Sequence, residues 1–316
     1  MIRTLRNSLL TAAIAGLALP MPLTAQSPIG QILTFVIPSG KFGSNNFTNL
    51  VVNSLAAAKQ FCGALDKSYQ VDCLAERIGA MAGQIPADGD YAEVRSILAK
   101  TSNDMASLAR ANRAIASGAF ADEVVPVTLS TRAGDVVVDH DEAPGKGRPD
   151  KIPQLKPAFA KDGTITAATS SSISDGAAAL VLTRASVAAH KGLTPVARIV
   201  ATAAHAQAPA LFTTAPIPAI QKVLDRAGWS VADVDLFEVN EAFACVAMFA
   251  MRDLGIPHDK INVNGGGTAL GHPIGASGTR IIVTLIAALK AHGKTKGVAS
   301  LCIGGGEATA VAVELI

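Results

Sequence analysis

Residues 264–278 have the sequence NGGGTALGHPIGASG, and residues 302–306 have the sequence CIGGG. Each stretch follows a run that predicts a β-strand, so each is expected to form a loop at a strand end. The two loops carry His272 and Cys302. Glycine lets the backbone approach a substrate closely and lets N–H groups point at a developing negative charge. Histidine titrates near neutral pH and a cysteine thiolate is both base and nucleophile, so the pair predicts thiol-dependent acyl chemistry.

Around these loops, after Gly163, predicted strands alternate with predicted helices. Strand-like runs lie at 178–183, 197–204, 234–239, 260–263, 298–303 and 309–315, and helical runs lie at 185–191, 217–227, 241–254 and 277–292. This alternation predicts a layered α/β fold, which we expect to be a mixed five-stranded sheet with helices on both faces. The helix at 277–292 is apolar almost all round, which predicts burial on every side.

Composition limits the class of protein. The chain has 316 residues, of which 49% are hydrophobic, enough for a sizeable core and one or two domains. Aromatic residues make up only 4%, so the core is aliphatic, which suits α/β layers. The net charge is +2 and no basic run or aromatic platform is present, so we expect no nucleic-acid partner.

The amino terminus has the pattern of an export signal. Arg3 and Arg6 precede the apolar run LLTAAIAGLAL at 9–19, and a cleavage point follows Ala25. We therefore predict a signal peptide at residues 1–25. The apolar run is too short for a bilayer core of roughly 30 Å, so no membrane span is expected. The alternative is an amphipathic or buried first helix.

Residues 26–110 predict a small helical region of unknown role, with helices at 46–65, 73–82 and from 91 onward. Cys62 and Cys73 lie in it. An oxidising compartment would allow them to form a disulfide, and two free buried thiols are an equal alternative. The four cysteines, which include Cys245 and Cys302, have no metal-ligand spacing, so no metal site is expected.

Several further motifs stand in a fixed order with the two loops. They are DEVVPV at 122–127, SDGAAA at 174–179 and NEAFA at 240–244. Together these motifs make residues 111–316 resemble the later part of a thiolase, an enzyme of the acetyl-CoA acetyltransferase type. The resemblance implies an acyltransferase that forms or cleaves a 3-ketoacyl-CoA. A coenzyme A thioester would be its substrate, and no cofactor would be permanently bound.

The resemblance also implies roles for individual residues. His272 matches the histidine that activates the nucleophilic cysteine and helps bind the thioester oxygen. Cys302 matches the second cysteine, which moves a proton at the α-carbon or the leaving thiol. Asn240 matches the asparagine that holds a water in the first oxyanion hole, and Gly304 matches a backbone N–H donor of the second. Ser171 matches a serine that contacts coenzyme A.

Two of the matched elements have simpler interpretations. Asn240 could be only the N-cap of a helix that begins at Glu241, and it could also do both jobs. Cys245, inside the same helix, is expected to serve packing alone. These alternatives depend on where the helix begins.

The chain departs from the family in one respect that bears on activity. In thiolases the nucleophilic cysteine lies in the first half, in a small-residue loop before a helix, and no such segment exists here. Cys62 lies in KQFCGAL, which predicts mid-helix, and is not assigned as the nucleophile. Without a covalent carrier, ping-pong acyl transfer lacks its intermediate. The alternative function is therefore a catalytically inactive truncated thiolase, fused to an unrelated exported segment, that at most binds coenzyme A.

The same departure from the family pattern bears on the expected partners of the chain and on its expected location. If the missing half normally covers the apolar helix at 277–292, that helix exposes a large patch here. The patch would need covering by the amino-terminal helices, a second copy or a chaperone, and we expect a homo-oligomer. The predicted signal peptide indicates a periplasmic or exported protein, whereas coenzyme A chemistry indicates the cytoplasm, and both stay open.

Overall fold

The computed structural model describes residues 45–64, 67–85 and 91–316. All described residues belong to one compact unit. The predicted signal peptide at 1–25 lies outside the described residues, so it stays a prediction. No helix among the described residues is both long and apolar enough to cross a membrane.

Three helices form the predicted helical region: α1 (Asn45–Gly63), α2 (Lys67–Gln84) and α3 (Ala92–Ala116). A disulfide between Cys62 and Cys73 joins α1 to α2, which decides between the two alternatives left open by the sequence. A small aliphatic core lies between α2 and α3, built from Ala75, Ile78, Met81, Ala82, Ile85, Leu98, Met105 and Ala106.

The predicted boundary between residues 110 and 111 falls inside α3. The carboxyl-terminal half of this helix packs directly on the α/β region. The Arg110 guanidinium donates hydrogen bonds to the carbonyl oxygens of Ile261 (2.7 Å) and His258 (2.8 Å). A continuous helix, rather than a linker, therefore connects the two regions.

An exposed hairpin follows α3. Strands β1 (Val127–Thr131) and β2 (Gly134–Val138) pair antiparallel. Gly134 has a φ of 115°, a conformation that side chains rarely adopt and that glycine allows at the turn. Every residue of both strands is exposed. A short helix, α4 (Glu142–Lys146), comes next.

A four-stranded mixed sheet forms the centre of the α/β region. Its strands are β3 (Ala197–Ala206), β4 (Leu236–Val239), β5 (Lys296–Cys302) and β6 (Glu307–Leu315), in the order β3-β6-β5-β4. β4 and β5 run parallel, whereas the β5–β6 and β3–β6 pairs are antiparallel. The mixed layered architecture is as predicted, but the sheet has four strands rather than five.

Two of the predicted strands stay outside the sheet, and one of them is the run at 260–263. It makes one parallel bridge, between Ile261 and Phe237, and then turns away. Asn262 has a φ of 47°, which an extended strand does not allow. Its side chain instead pairs with the backbone of Val239, accepting from the N–H at 2.8 Å and donating to the carbonyl at 2.9 Å. A side-chain amide thus replaces the backbone pairing of a strand.

Helices cover both faces of the sheet, as predicted. On one face lie α6 (Pro216–Ala227) and α7 (Ala244–Leu254), whose apolar side chains share one core with β4, β5 and β6. On the other face lies α9 (Ser277–Ala291), where Ile281, Leu285 and Leu289 are at most 1% exposed. The outward side of α9 is only half-buried. The prediction that this helix is buried on every side is therefore wrong, because the sheet covers one side of it closely and the other is covered only in part.

The predicted strand at 178–183 does not form. Residues 174–183 contain neither helix nor strand, and the next regular element is the short helix α5 (Ala185–His190). A strand needs a neighbouring strand to satisfy its backbone groups, and no described strand lies beside this run.

Candidate active site

Parallel pairing brings two predicted site residues to one edge of the sheet. Asn240 follows the last residue of β4, and Cys302 is the last residue of the neighbouring β5. The backbone N–H of Asn240 donates to the carbonyl of Ser300 at 2.9 Å, which extends the pairing of the two strands. The carboxyl ends of parallel strands are the usual place for a ligand site in α/β sheets.

Helix α7 begins at Ala244, with Phe243 as the residue before its first turn. Asn240 is therefore not a helix N-cap, and the alternative interpretation of this residue is wrong. The residues between β4 and α7 form a turn that holds the Asn240 side chain at the sheet edge. Asn240 is 1% exposed, and its Oδ1 atom accepts no hydrogen bond from a described residue.

His272 reaches the same edge from the long glycine-rich loop. This loop contains the single-turn helix α8 (Gly267–Leu270) and then Gly271, whose φ is 96°. A Cβ atom at Gly271 would collide with the Ser174 hydroxyl, so glycine is required there by both conformation and space. The backbone N–H of His272 donates to the carbonyl of Ser172 at 3.0 Å.

The hydrogen bonds of the His272 ring define its protonation pattern. Nδ1 lies 2.6 Å from Ser277 Oγ, and this hydroxyl donates to the carbonyl of Pro273 at 3.0 Å. Because the Ser277 proton is used there, its oxygen accepts from Nδ1–H. Nε2 lies 3.5 Å from Asn240 Nδ2 and keeps the lone pair. An imidazole held in this way presents an unprotonated nitrogen to the site.

Burial lowers the pKa of His272, and the positive charge of Arg280 lowers it further. Both causes disfavour the imidazolium form. Neutral pH therefore leaves the ring uncharged, with Nε2 available as a base.

Cys302 is 6% exposed, and burial raises the pKa of its thiol to about 11. At neutral pH the group is thus protonated, and it is a proton donor rather than a thiolate. The turn after it leaves two backbone donors available, the N–H groups of Gly304 and Gly305. The N–H groups of Ile303 and Gly306 bond within the turn, whereas that of the exposed Gly304 donates to no described residue.

The Ser171 hydroxyl donates to the carbonyl of Ala242 at 2.9 Å, and its backbone N–H donates to the same oxygen. The neighbouring residue Ser170 makes a bridge with Phe243. These contacts hold Ser171 beside the turn that carries Asn240. The hydroxyl proton is occupied by a backbone acceptor, so a ligand would meet only the lone pairs of the Ser171 oxygen.

Glu241 is not among the residues that the sequence predicts for the site, yet it is 6% exposed and accepts four hydrogen bonds. Its Oε2 atom accepts from the Ser107 hydroxyl and from both the hydroxyl and the backbone N–H of Thr268. Its Oε1 atom accepts from Asn262 Nδ2 at 2.9 Å. One carboxylate thus ties α3, the turn after β4 and the glycine-rich loop together.

A second buried group of acids lies behind the site. Glu238 on β4 is 2% exposed, and its carboxylate lies 3.4 Å from Arg280 Nη1. Burial raises the pKa of Glu238 to about 8 and that of Glu123 to about 7. The hydroxyl of Thr284 donates to Glu123 at 3.3 Å. Glu238 and Glu241 are acids inside an otherwise apolar run, and that contrast is the sequence signal that would have identified them.

The structure therefore brings Asn240, His272 and the Cys302 loop to one sheet edge. Cys62, which was not assigned as the nucleophile, is 2% exposed and bonded to Cys73. Among the described residues, no three side chains of His, Cys, Asp or Glu are grouped to hold a metal ion.

Two models of known protein families match the chain. A model of the thiolase C-terminal domain matches residues 193–315, and a model of the thiolase N-terminal domain matches residues 95–186. The family match thus begins inside α3, earlier than the predicted residue 111. Residues 95–110, at least, are thiolase-like rather than unrelated in origin.

Curated relatives of this chain are named acetyl-CoA acetyltransferase, which agrees with the match to the thiolase models. The protein from Rhizobium meliloti is 49% identical over 221 residues, covering 69% of this chain and 56% of the relative. The protein from Escherichia coli K12 is 50% identical over 206 residues and is covered to 52%. The protein from Syntrophomonas wolfei is 43% identical over 286 residues, covering 89% of this chain and 69% of the relative. The chain spans about half the length of the first two.

Solved structures give the same result. The acetyl-CoA acetyltransferase of Bacillus anthracis has a TM-score of 0.66 and 44% identity, with 68% of this chain and 55% of that chain covered. The Acat5 thiolase from Ascaris suum, determined in complex with coenzyme A, has a TM-score of 0.64 and 41% identity over similar coverage. With its motifs, its sheet and its relatives in agreement, this chain belongs to the thiolase family.

Proposed function

We propose that this chain carries the acid–base part of an acyltransferase of the thiolase type, which forms or cleaves a 3-ketoacyl-CoA. One observation supports the proposal above the others. Two separate segments meet so that the Nε2 lone pair of His272 faces the Asn240 amide, beside the strand that ends at Cys302. A base, a polar amide and a proton donor at one edge are the groups that thioester condensation requires.

Each group has a task in that chemistry. Cleavage of a 3-ketoacyl thioester breaks the bond between its second and third carbons, passes the acyl group to a thiol and leaves a carbanion that must take a proton. The protonated thiol of Cys302 can supply this proton. The unprotonated Nε2 of His272 can take the proton of the attacking thiol, and a positioned acid or base typically contributes about 10²–10⁴-fold.

The enolate oxygen formed during the reaction needs hydrogen-bond donors. The unoccupied N–H of Gly304 is one. The buried Oδ1 of Asn240 has no partner among the described residues and would accept a hydrogen bond from a water held there. Removal of one such donor typically raises the barrier by about 2.7–4 kcal/mol.

A second candidate function is binding of coenzyme A thioesters without turnover. The state of the cysteines favours it, because Cys62 and Cys73 are bonded to each other and the Cys302 thiol is protonated. None of these three cysteines therefore offers a thiolate, which a covalent acyl carrier needs.

Cleavage of acetoacetyl-CoA in the presence of free coenzyme A separates the two functions. We expect the purified full chain to show turnover that His272→Ala and Cys302→Ala both abolish, and Cys245→Ala, in α7, is the matched control. Calorimetric titration with acetyl-CoA on the same samples reports binding. Binding without turnover would favour the second function, and silence in both assays would reject both for the isolated chain.

We also propose that the chain is exported. The disulfide between Cys62 and Cys73 supports this, because such bonds persist in oxidising compartments. Cell fractionation and sequencing of the mature amino terminus test the proposal. A mature chain that begins at Gln26 is expected, and an intact Met1 in the cytosol would contradict it.

A further inference from the structure

The layer between β4 and α9 contains a buried acid close to the candidate site. Along β4, Phe237 and Val239 belong to the core under α6 and α7, whereas Leu236 belongs to the core under α9. Side chains alternate along a strand, so Glu238 shares the α9 side with Leu236. Asn240, two residues further on, shares it too, because its N–H continues the pairing with β5. Glu238 therefore lies in the same layer as the amide of the candidate site.

Helix α9 brings two polar side chains to this layer from its first turns. Ser277 and Arg280 are three residues apart, so they lie on the same side of the helix. Ser277 Oγ lies 2.6 Å from His272 Nδ1. Almost one turn further on, Arg280 Nη1 donates to Glu238 Oε1 at 3.4 Å. The helix that fixes the imidazole thus also carries a guanidinium into the layer behind it.

Three acids interact with the Arg280 guanidinium, and burial weakens their ionisation. Burial raises the pKa of Glu238 to about 8 and that of Glu123 to about 7, and it also raises the pKa of Asp141. A protonated carboxyl group still accepts a hydrogen bond from arginine but adds no negative charge. The Arg280 side chain is 19% exposed, and its buried Nη2 atom donates to no described residue. At neutral pH the neighbouring acids therefore cancel the positive charge of Arg280 only in part.

The titratable groups on the elements around the His272 ring differ in their effect on it. Within the described part of the chain they are Arg280 on α9, Glu238 on β4, Glu241 in the turn after β4, Cys302 at the end of β5 and Asp175 on the segment beside the glycine-rich loop. Burial itself lowers the pKa of His272 most, and of these groups it is Arg280 whose charge lowers it further. A positive charge in a poorly solvated layer disfavours a second one nearby.

We propose that Arg280 is a positioning residue of the candidate active site: its guanidinium, held beside β4 by the Glu238 carboxyl group, keeps the His272 ring uncharged and its Nε2 atom available as a base. No hydrogen bond joins Arg280 to His272 within the described residues, so Arg280 acts through its charge. This inference rests on the proposed function because it takes His272 as the base. The protonation of the ring can nevertheless be measured without turnover.

The test follows the histidine ring signals of the full chain by NMR through a pH titration. Arg280→Met removes the charge and keeps a long side chain, so we expect the titration midpoint of His272 to move to higher pH. Below the midpoint, each pH unit of this shift lowers the unprotonated fraction of the ring about tenfold. His292, at the opposite end of α9, is the internal reference and should not move. An unchanged His272 midpoint in the folded variant would overturn the proposal.

Arg280→Lys separates the charge of the side chain from its packing. Lysine keeps the positive charge but lacks the planar guanidinium, so we expect the His272 midpoint to stay close to that of the unmodified chain. A midpoint as high as in Arg280→Met would assign the effect to packing and overturn the proposal. Arg252→Met is the matched control, because the Arg252 side chain on α7 is 67% exposed and pairs with Asp253. It should leave the His272 titration unchanged.

Glu238→Gln tests the protonation of the acid that holds Arg280. While Glu238 is protonated, the amide replaces one uncharged acceptor by another, and we expect the His272 midpoint to stay in place. A midpoint that falls would show an ionised Glu238 that cancels the Arg280 charge, which contradicts the proposal. The double variant Arg280→Met, Glu238→Gln serves if Arg280→Met alone does not fold, since it leaves no buried acid without its partner. An unshifted midpoint in the double variant overturns the proposal equally.

Turnover is scored separately. Where the chain cleaves acetoacetyl-CoA, Arg280→Met should lose more activity at low pH than at high pH, because protonation of His272 removes the base. A loss that is even across the pH range would indicate structural damage and contradict the proposal. A His272 midpoint that follows Arg280 in a chain without cleavage would reject the proposed function and leave the positioning role of Arg280 intact.

Discussion

Two regions of the molecule carry thiolase motifs and reach very different states. Between residues 234 and 315, the motifs lie in closed layers, where Phe237, Leu285 and Val298 are at most 1% exposed. Between 173 and 199 the chain is nearly all exposed, including Val181 and Leu182. The sequences of both regions are equally apolar, so hydrophobicity alone does not explain the difference. The difference is that residues 236–315 pair with neighbouring strands, whereas no described strand pairs with residues 174–183.

The largest effect expected from this contrast is on stability. Leu285→Ala opens a cavity between α9 and the sheet, and such replacements typically lower the free energy of unfolding by about 2–5 kcal/mol. Val181→Ala removes a side chain that touches little, and exposed replacements stay within about 0.5 kcal/mol. Urea denaturation of both variants measures the difference. Similar losses at the two sites would show that residues 174–183 are packed in solution.

The next largest effect is expected in helices α1 to α3, which belong to neither of the two compared regions. The Cys62–Cys73 disulfide closes a short loop of 11 residues in sequence separation, for which the chain-entropy relation gives about 3 kcal/mol. The double variant Cys62→Ala, Cys73→Ala should lose stability by that order, and Cys245→Ala is the control. Thermal unfolding with and without reductant measures it. An unchanged melting temperature after reduction would show that the bond is absent in solution.

A smaller effect is expected from the Glu241 carboxylate. Glu241→Gln places an amide donor where Ser107 and Thr268 already donate, and leaving buried partners unsatisfied costs about 1–3 kcal/mol. Because the glycine-rich loop would loosen, the ring nitrogen signals of His272 in nitrogen-15 spectra should also shift. Glu142→Gln, at an exposed carboxylate, is the matched control. Loss of stability with unchanged His272 signals would limit Glu241 to a purely structural role.

Counted per pH unit and per carboxyl group, the smallest effect is on the pH dependence of stability. The folded pKa of Glu123 is about 7 and that of Glu238 is about 8, both above the ordinary value of 4.5. Between about pH 5 and pH 8 the folded state therefore binds more protons than the unfolded state, and stability falls as the pH rises. Each extra proton contributes about 1.4 kcal/mol per pH unit.

Glu238→Gln should flatten this pH dependence, because the amide does not titrate. Denaturation midpoints of the two proteins, measured across the same pH range, check the sign. A stability that rises with pH over this range in the unmodified chain would contradict the raised pKa values of Glu123 and Glu238.

Much of the fold could be predicted from the sequence because its signals are local. Helix α6 ends at Gly228, which adopts a φ of 67°, as a glycine after a helix predicts. Helix α9 and strand β6 follow apolar runs whose limits are visible in the chain. Strand predictions were wrong where the pairing of a strand depends on residues that are distant in sequence. In the run at 260–263, the Asn262 side chain takes the place of strand pairing. The run at 178–183 pairs with no described strand.

The candidate site also combines residues that the local sequence predicts with residues that it does not predict. His272 and Cys302 could be identified because glycine-rich loops surround them, and Asn240 because it stands in the NEAFA motif. Glu241 could not be assigned its position, since its four donors come from segments around residues 107, 262 and 268. The start of α7 at Ala244 also depends on the tertiary turn at Phe243 rather than on a local cap.

The Asn240 amide, the His272 imidazole and the Cys302 loop meet at one sheet edge, where we propose that they supply the acid–base groups of a thioester site. The most direct measurement is acetoacetyl-CoA cleavage by the purified full chain in the presence of free coenzyme A. We predict turnover that is lost in His272→Ala and in Cys302→Ala and kept in Cys245→Ala. No turnover by the unmodified chain, or turnover that His272→Ala leaves unchanged, would contradict the account.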